Sequence, residues 1–481
     1  MWILATILIY FAVLMAISCW TSRRATNDTF YRADRKAPWP MVAFGMVGAS
    51  ISGVTFVSVP GMVTATQMTY LQMCLGFIVG YAVVATLLLP LYYRLSLTTI
   101  YGYLGRRLGD RSYRTGAWFF LLSKMAGAVV KFYVVAMLLQ QFVFDAFGVP
   151  FVVTVAVLVL LIWLYSRRGG IGTLVFTDTF QTVCLLTALL LIIYKVVTQL
   201  QLSLAEAVSA VARSPLSRVF VFDDWASPQL FWKQLLSGAF VVIVMTGLDQ
   251  DMMQKNLTCK TLGEAQKDML SYGVAFVPVN LLFLALGVLL TMVYGATTDG
   301  VTAIPAGDHL LLDYVQSAGG SGFSVLPLLF VLGVVAASFS TADSALTSMT
   351  TSYCVDIRRR PADERLRKRT HLVMCLLFVI LIVLFRLVNS TSLLDAVYTL
   401  VSYTYGPLLG LFAYGLFTRR AVNDRFVPYI CIASPLVCYG LQLVFQTAFA
   451  YHFGYELLIV NGALTFLGLR LTAKTEDNGE W

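Results

Sequence analysis

Residues Met41 to Gly61 read MVAFGMVGASISGVTFVSVPG. The stretch is long and apolar enough to cross a bilayer, which takes about 20 residues of helix. Its middle, however, concentrates Gly45, Gly48 and Gly53 with the hydroxyl residues Ser50, Ser52 and Thr55. An unwound turn at that depth would free backbone carbonyls, which the membrane interior tolerates only around a cavity or a bound ion. Close helix packing through small residues is the alternative, and the three hydroxyls beside the glycines favour a site.

The rest of the chain agrees with a membrane setting. Of 481 residues, 58% are hydrophobic and 12% charged, with mean hydropathy +0.78, against about 25% charged in soluble domains. Apolar runs mark thirteen expected spans, near residues 1–20, 38–61, 70–93, 115–146, 150–166, 171–197, 231–254, 268–294, 322–352, 371–388, 393–418, 425–448 and 453–470. No Lys or Arg precedes the first, so it reads as a retained helix rather than a signal peptide.

The net charge of +9 would point to nucleic acid in a soluble protein, but here it alternates with the loops. Odd-numbered loops carry Arg23 to Lys36, Arg94 to Arg114, Arg167 and Arg168, Lys255 to Lys267, Arg358 to Arg369 and Arg419 to Arg425, whereas the even-numbered loops hold only Arg213 and Arg218. Positive loops stay cytoplasmic, so the N-terminus is expected outside, the C-terminus inside, and no nucleic-acid partner is called for. The eight cysteines are scattered without metal or disulfide spacing, and the three histidines lie far apart. No HExxH, GxSxG, Walker or Rossmann pattern occurs, so an enzyme is not expected.

In the ninth span Ala337, Ser340, Thr341, Ser344 and Ser348 recur at three- and four-residue steps, which places them on one helix face. Such a stripe of oxygens suits a hard monovalent cation; hydroxyls bonding back to the preceding turn are the alternative. Ionisable residues inside spans mark function more often than structure. Asp178 in the sixth span would add a cation ligand. Lys124, in the fourth, would attract an anion, whereas Lys131, seven residues on, reads as a structural ion pair or a snorkelling side chain.

The motifs GGIGTLVFTDTFQ (169–181), GLDQDMMQK (247–255), Ala336 to Ser348 and YGPLLG (405–410) together resemble the sodium:solute symporter family of sodium-coupled sugar, proline, sialic acid and iodide transporters. The resemblance implies an all-α, LeuT-like integral membrane fold in one transmembrane domain, 1–481. An extra helix (1–20) would precede inverted five-helix repeats over 38–197 and 231–418, with two C-terminal helices over 425–470. It implies a main sodium site from Gly48, Ile51, Ala337, Ser340 and Thr341, and a second from Asp178, Ser340, Thr341 and Ser344. Its substrate pocket would include Ser50, Ser52, Thr55 and Gln72, with Lys124 as counterpart of the arginine that holds the carboxylate in sialic acid members. Lys keeps the charge but loses the bidentate fork. The polar pattern of the sugar carriers is missing, since Val242 and Met245 stand in the seventh span.

The expected function is therefore sodium-coupled import of a small organic anion, such as sialic acid or another carboxylate, by a monomer in a bacterial inner membrane. A neutral solute, and proton coupling through Asp178, remain alternatives. A membrane sensor would need a signalling module, and only residues 471–481 follow Arg470.

Overall fold

The computed structural model describes residues 2–473 apart from 24, 226, 298–303, 306, 318–324, 389–399, 450 and 452. Residues 322–324 of the ninth expected span and 393–399 of the eleventh thus lie outside the described residues. Among those described, the chain is helical apart from its connections, with one isolated bridge between Ala37 and Cys259.

Every expected span has a helical counterpart. They are α1 (Trp2–Thr21), the bent α2 (Trp39–Ser50 and Gly53–Thr66), α3 (Tyr70–Arg94), α4 (Asp110–Phe147), α5 (Phe151–Ser166), α6 (Ile171–Gln199) and the bent α7 (Phe231–Gly247 and Gln250–Asn256). Then come α8 (Leu262–Gly295), α9 (Val325–Ile357), α10 (Glu364–Leu387), α11 (Gly406–Phe417), α12 (Val427–Ala448) and α13 (Leu457–Leu471). Three of these, α5, α11 and α13, are shorter than 18 residues. Backbone groups cannot bond to lipid, so a chain this apolar closes its hydrogen bonds within helices.

Two helix groups surround the centre. The first half of α7 lies along α3, and α8 packs on α3 and on both halves of α2. The approach of α3 to α7 is backbone to backbone: a methyl on Gly76 would meet the Leu235 carbonyl oxygen at 2.1 Å, and one on Gly238 the Met73 carbonyl oxygen at 2.3 Å. Small residues permit such contact where no hydrophobic force separates helix from lipid. Opposite stand α4, α5, α9 and α10, packed on one another, while α6 runs between α9 and the first half of α2. α1 leans on α5, α6 and α9. Outside this core α11, α12 and α13 pack together, and α12 turns Tyr429, Ile432 and Leu436 outward, each more than half exposed, as a lipid-facing surface requires.

The α2 break lies at mid-span and the α7 break near the end of its span. α2 bends by 63° at Ile51 and Ser52, which are extended (φ −83°, ψ 107° and φ −95°, ψ 172°). Its second half restarts with Thr55 Oγ1 accepting from the Ser52 N–H at 3.3 Å. α7 bends by 70° at Leu248 and Asp249, and the Asp249 carboxylate caps the second half by accepting from the Asp251 N–H at 2.8 Å.

Candidate functional site

A cavity opens at the α2 break. It is lined by Ser50, Ser52 and Thr55 of α2, Tyr70, Phe77 and Tyr81 of α3, Lys124 and Lys131 of α4, Val242, Met245, Thr246 and Asp251 of α7, Tyr272 of α8 and Thr341 of α9. Ser50 shares a 2.5 Å hydrogen bond with the Tyr272 hydroxyl, to which Tyr81 donates at 2.7 Å. Val242 and Met245 stand on the wall as the seventh span suggested. The N-terminal end of the second half of α2 begins at this wall, and a helix start carries partial positive charge from its unpaired N–H groups.

On one side of the cavity α9 meets the broken helix. Thr341 Oγ1 lies 3.1 Å from both the Ala49 and the Ala337 carbonyl oxygens. The last turn of the first half of α2 leaves carbonyls without helical partners, so oxygens from two helices converge on one point. Ser340, the neighbouring residue, turns the other way and donates to Asp178 Oδ1 at 2.7 Å. Asp178 Oδ2 forms an ion pair with Lys255 Nζ at 2.8 Å, with both side chains no more than 3% exposed. Lys255, counted above among the cytoplasmic loop charges, is thus a buried residue of α7. Ser344 is buried, and its hydroxyl has no hydrogen-bond partner among the described residues.

Lys124 is not a free anchor. Its ammonium lies 2.7 Å from Asp251 and 3.2 Å from Asp249, and Tyr405 donates to the same Asp249 carboxylate at 2.5 Å. Two carboxylates more than offset one ammonium. Lys131, read above as structural, lines the cavity, and among the described residues no carboxylate lies within ion-pair reach of it. Seven residues are close to two helical turns, so Lys131 shares the face of Lys124 one step further along the same wall. Asp251 Oδ1 is buried without a donor.

Gln72 is absent from the cavity wall. Its amide donates to the Gln229 carbonyl at 2.9 Å and accepts from the Val221 N–H at 3.0 Å, which fastens the 200–230 connection to α3. Asp343 also escaped the sequence reading, although it stands within the hydroxyl stripe. It is fully buried and accepts from the Tyr165 hydroxyl at 2.5 Å.

A sequence model of the sodium:solute symporter family matches residues 30–425. The chain belongs to the sodium:solute symporter family. Among its relatives, the sodium/sialic acid symporter NanT of Aliivibrio fischeri is 25% identical over 427 residues, covering 86% of this chain and 82% of NanT. SiaT of Proteus mirabilis, also a sodium/sialic acid symporter, is 23% identical with 91% and 89% covered. The human sodium/iodide cotransporter is 24% identical over 82% of this chain and 62% of its own length. The substrate-bound, outward-open structure of a Na+-coupled sialic acid symporter superposes with TM-score 0.81 at 18% identity, covering 98% and 99% of the two chains. Mhp1, a nucleobase-cation-symport-1 family transporter, superposes with TM-score 0.58 at 16% identity, covering 91% and 92%. The fold is thus the LeuT-like one, and this symporter is a sodium-coupled membrane transporter of a small solute, not an enzyme.

Proposed function

We propose that this symporter imports a small organic acid, with sialic acid or a related sugar acid as the first candidate, and that Lys131 holds its carboxylate. The observation that carries this is an ammonium on the cavity wall with no carboxylate in ion-pair reach among the described residues. The positive start of the second half of α2 favours the same charge. Lys124, already committed to Asp249 and Asp251, sets the shape and polarity of the wall beside it. The unpartnered Asp251 Oδ1 favours a substrate with a hydroxyl or ammonium donor near its acid group, as sugar acids and amino acids have.

The main sodium site in this proposal is the convergence of the Gly48, Ala49 and Ile51 region, the Ala337 carbonyl and Thr341. An ion there would tie the broken helix to α9, and its release would loosen that tie and let the substrate leave. The 38–197 and 231–418 segments act as the two inverted repeats, in a monomer whose positive loops face the cytoplasm across a bacterial inner membrane. A potential of 100 mV adds about 2.3 kcal/mol per charge moved inward.

Proteoliposome uptake tests the substrate. With an inward sodium gradient, labelled sialic acid should accumulate and the neutral sugar N-acetylmannosamine should neither accumulate nor compete. A proton gradient alone should drive nothing. Loss of one charge-assisted contact is worth about 1.5–3 kcal/mol, so Lys131→Met should weaken apparent affinity roughly 10- to 150-fold. Equal uptake of the neutral sugar, or full affinity in Lys131→Met, would overturn the carboxylate anchor.

A further inference from the structure

Asp178 lies among buried side chains between α6, α7 and α9. A carboxylate in such surroundings requires a compensating cation, because leaving it unpaired costs several kcal/mol even after relaxation. The chain provides that cation. Lys255 Nζ stands 2.8 Å from Asp178 Oδ2, and Ser340 donates to Oδ1 at 2.7 Å. Among the described residues Asp178 is the one carboxylate in ion-pair reach of Lys255 Nζ, which has no aligned hydrogen-bond acceptor.

A sodium ion and an ammonium differ in one respect that matters here. Both neutralise a carboxylate, but the ammonium is attached to the backbone of α7 and cannot leave with the substrate. We propose that the Lys255 ammonium is a resident cation in the position that the family resemblance implies for a second sodium ion, leaving this symporter with a single transported sodium ion at the α2 break. The proposal rests on the assignment of that break as the main sodium site. Thr341, which that second site would share, faces Ala49 and Ala337, on the side of the break. The resident ion pair also joins the second half of α7 to α6, so one fixed contact replaces an ion-dependent one.

Asp343 is the other carboxylate of this region, three residues beyond Ser340 on α9. It accepts from Tyr165, and its Oδ1 has no hydrogen-bond partner among the described residues. A sodium ion captured by Asp343 despite Lys255 would be counted as an additional ion, so the same experiment judges it.

The test is the number of sodium ions bound per chain, read with labelled sodium on the purified full-length protein in detergent, without substrate. The wild type should bind one, and Thr341→Val should bind it roughly tenfold more weakly. Lys255→Met should bind two, because Asp178 then needs a mobile cation. Asp178→Asn combined with Lys255→Met removes charge from both partners together, a change buried pairs often tolerate, and should return the count to one. Two ions in the wild type would overturn the proposal while leaving the sodium site at the break intact. One ion in Lys255→Met, or a wild-type ion whose affinity is unchanged in Thr341→Val and which disappears in the double variant, would also overturn it. No sodium bound by the wild type would reject the main site and the proposal together. If Lys255→Met does not fold, the wild-type count and the double variant still decide.

Discussion

Thr341→Val separates the hydroxyl from the shape of the residue that joins the two helices. Valine keeps the branched volume, so no cavity opens on α9, while the oxygen 3.1 Å from the Ala49 and Ala337 carbonyls is removed. Two consequences follow from that geometry. The ion would lose one protein oxygen, an interaction with a charged partner worth about 1.5–3 kcal/mol. The two carbonyls would also lose a donor when no ion is present, which raises the free energy of the empty state and offsets part of that loss. The lower end of the range is therefore the better expectation, about 1.5 kcal/mol, or roughly a tenfold higher sodium concentration for half-maximal uptake. The assay is a sodium titration of substrate uptake at fixed membrane potential, with Thr341→Ser alongside. Serine restores the oxygen and should recover most of the sodium affinity. A wild-type sodium dependence in Thr341→Val, or a defect equally severe in Thr341→Ser, would refute the assignment of this hydroxyl as a sodium ligand.

Lys124→Met should behave as a structural lesion, since it strands two buried carboxylates; losing one partner of a buried pair costs about 3–5 kcal/mol. Its signature is a lower unfolding temperature in detergent, partly recovered when Asp251 is also changed to Asn. Gly48→Ala would put a methyl 2.0 Å from Thr182 Oγ1 and 2.9 Å from Thr182 Cβ, and overpacking of this kind costs about 1–3 kcal/mol; sodium binding should fail in the folded fraction, as labelled sodium would report. Gln72→Leu should lower thermal stability, because the Val221 N–H and the Gln229 carbonyl lose a partner, yet leave sodium and substrate affinity as in the wild type.

The spans were legible in the sequence because the bilayer imposes them. An apolar run must be helical, its length is set by the membrane, and alternating positive loops test the number of crossings. The break in α2 was legible because hydroxyls stand beside the glycines at mid-depth, which favours a site over close packing alone. The break in α7 carried a weaker signal, as Gly247 and Asp249 lie close to where the span was expected to end. The helix face of the proposed ion site could be read; which hydroxyl of the pair Ser340 and Thr341 turns toward the break depends on rotation of α9 against α2 and α6. A one-residue difference is 100° of helix, and no periodicity in a fully buried helix resolves it.

The charged residues show where reading by residue type stops. Lys124 and Lys131 are chemically alike, seven positions apart on one helix face, and only their neighbours distinguish them. Asp249 and Asp251 stand in a different helix more than 100 positions away, brought to Lys124 by the α7 break. The aspartates were visible as part of a motif, but their partner was not, because pairing is a property of helix packing. The same holds for Lys255, which appears as one more loop charge until α7 bends it inward to Asp178. In a membrane interior each charge must be neutralised nearby, so the unassigned one is the informative one. Pairing Lys124 with the aspartates of α7 and Lys255 with Asp178 leaves Lys131 as the ammonium on the cavity wall with no carboxylate in ion-pair reach among the described residues, and the proposal of an anionic substrate rests on that remainder.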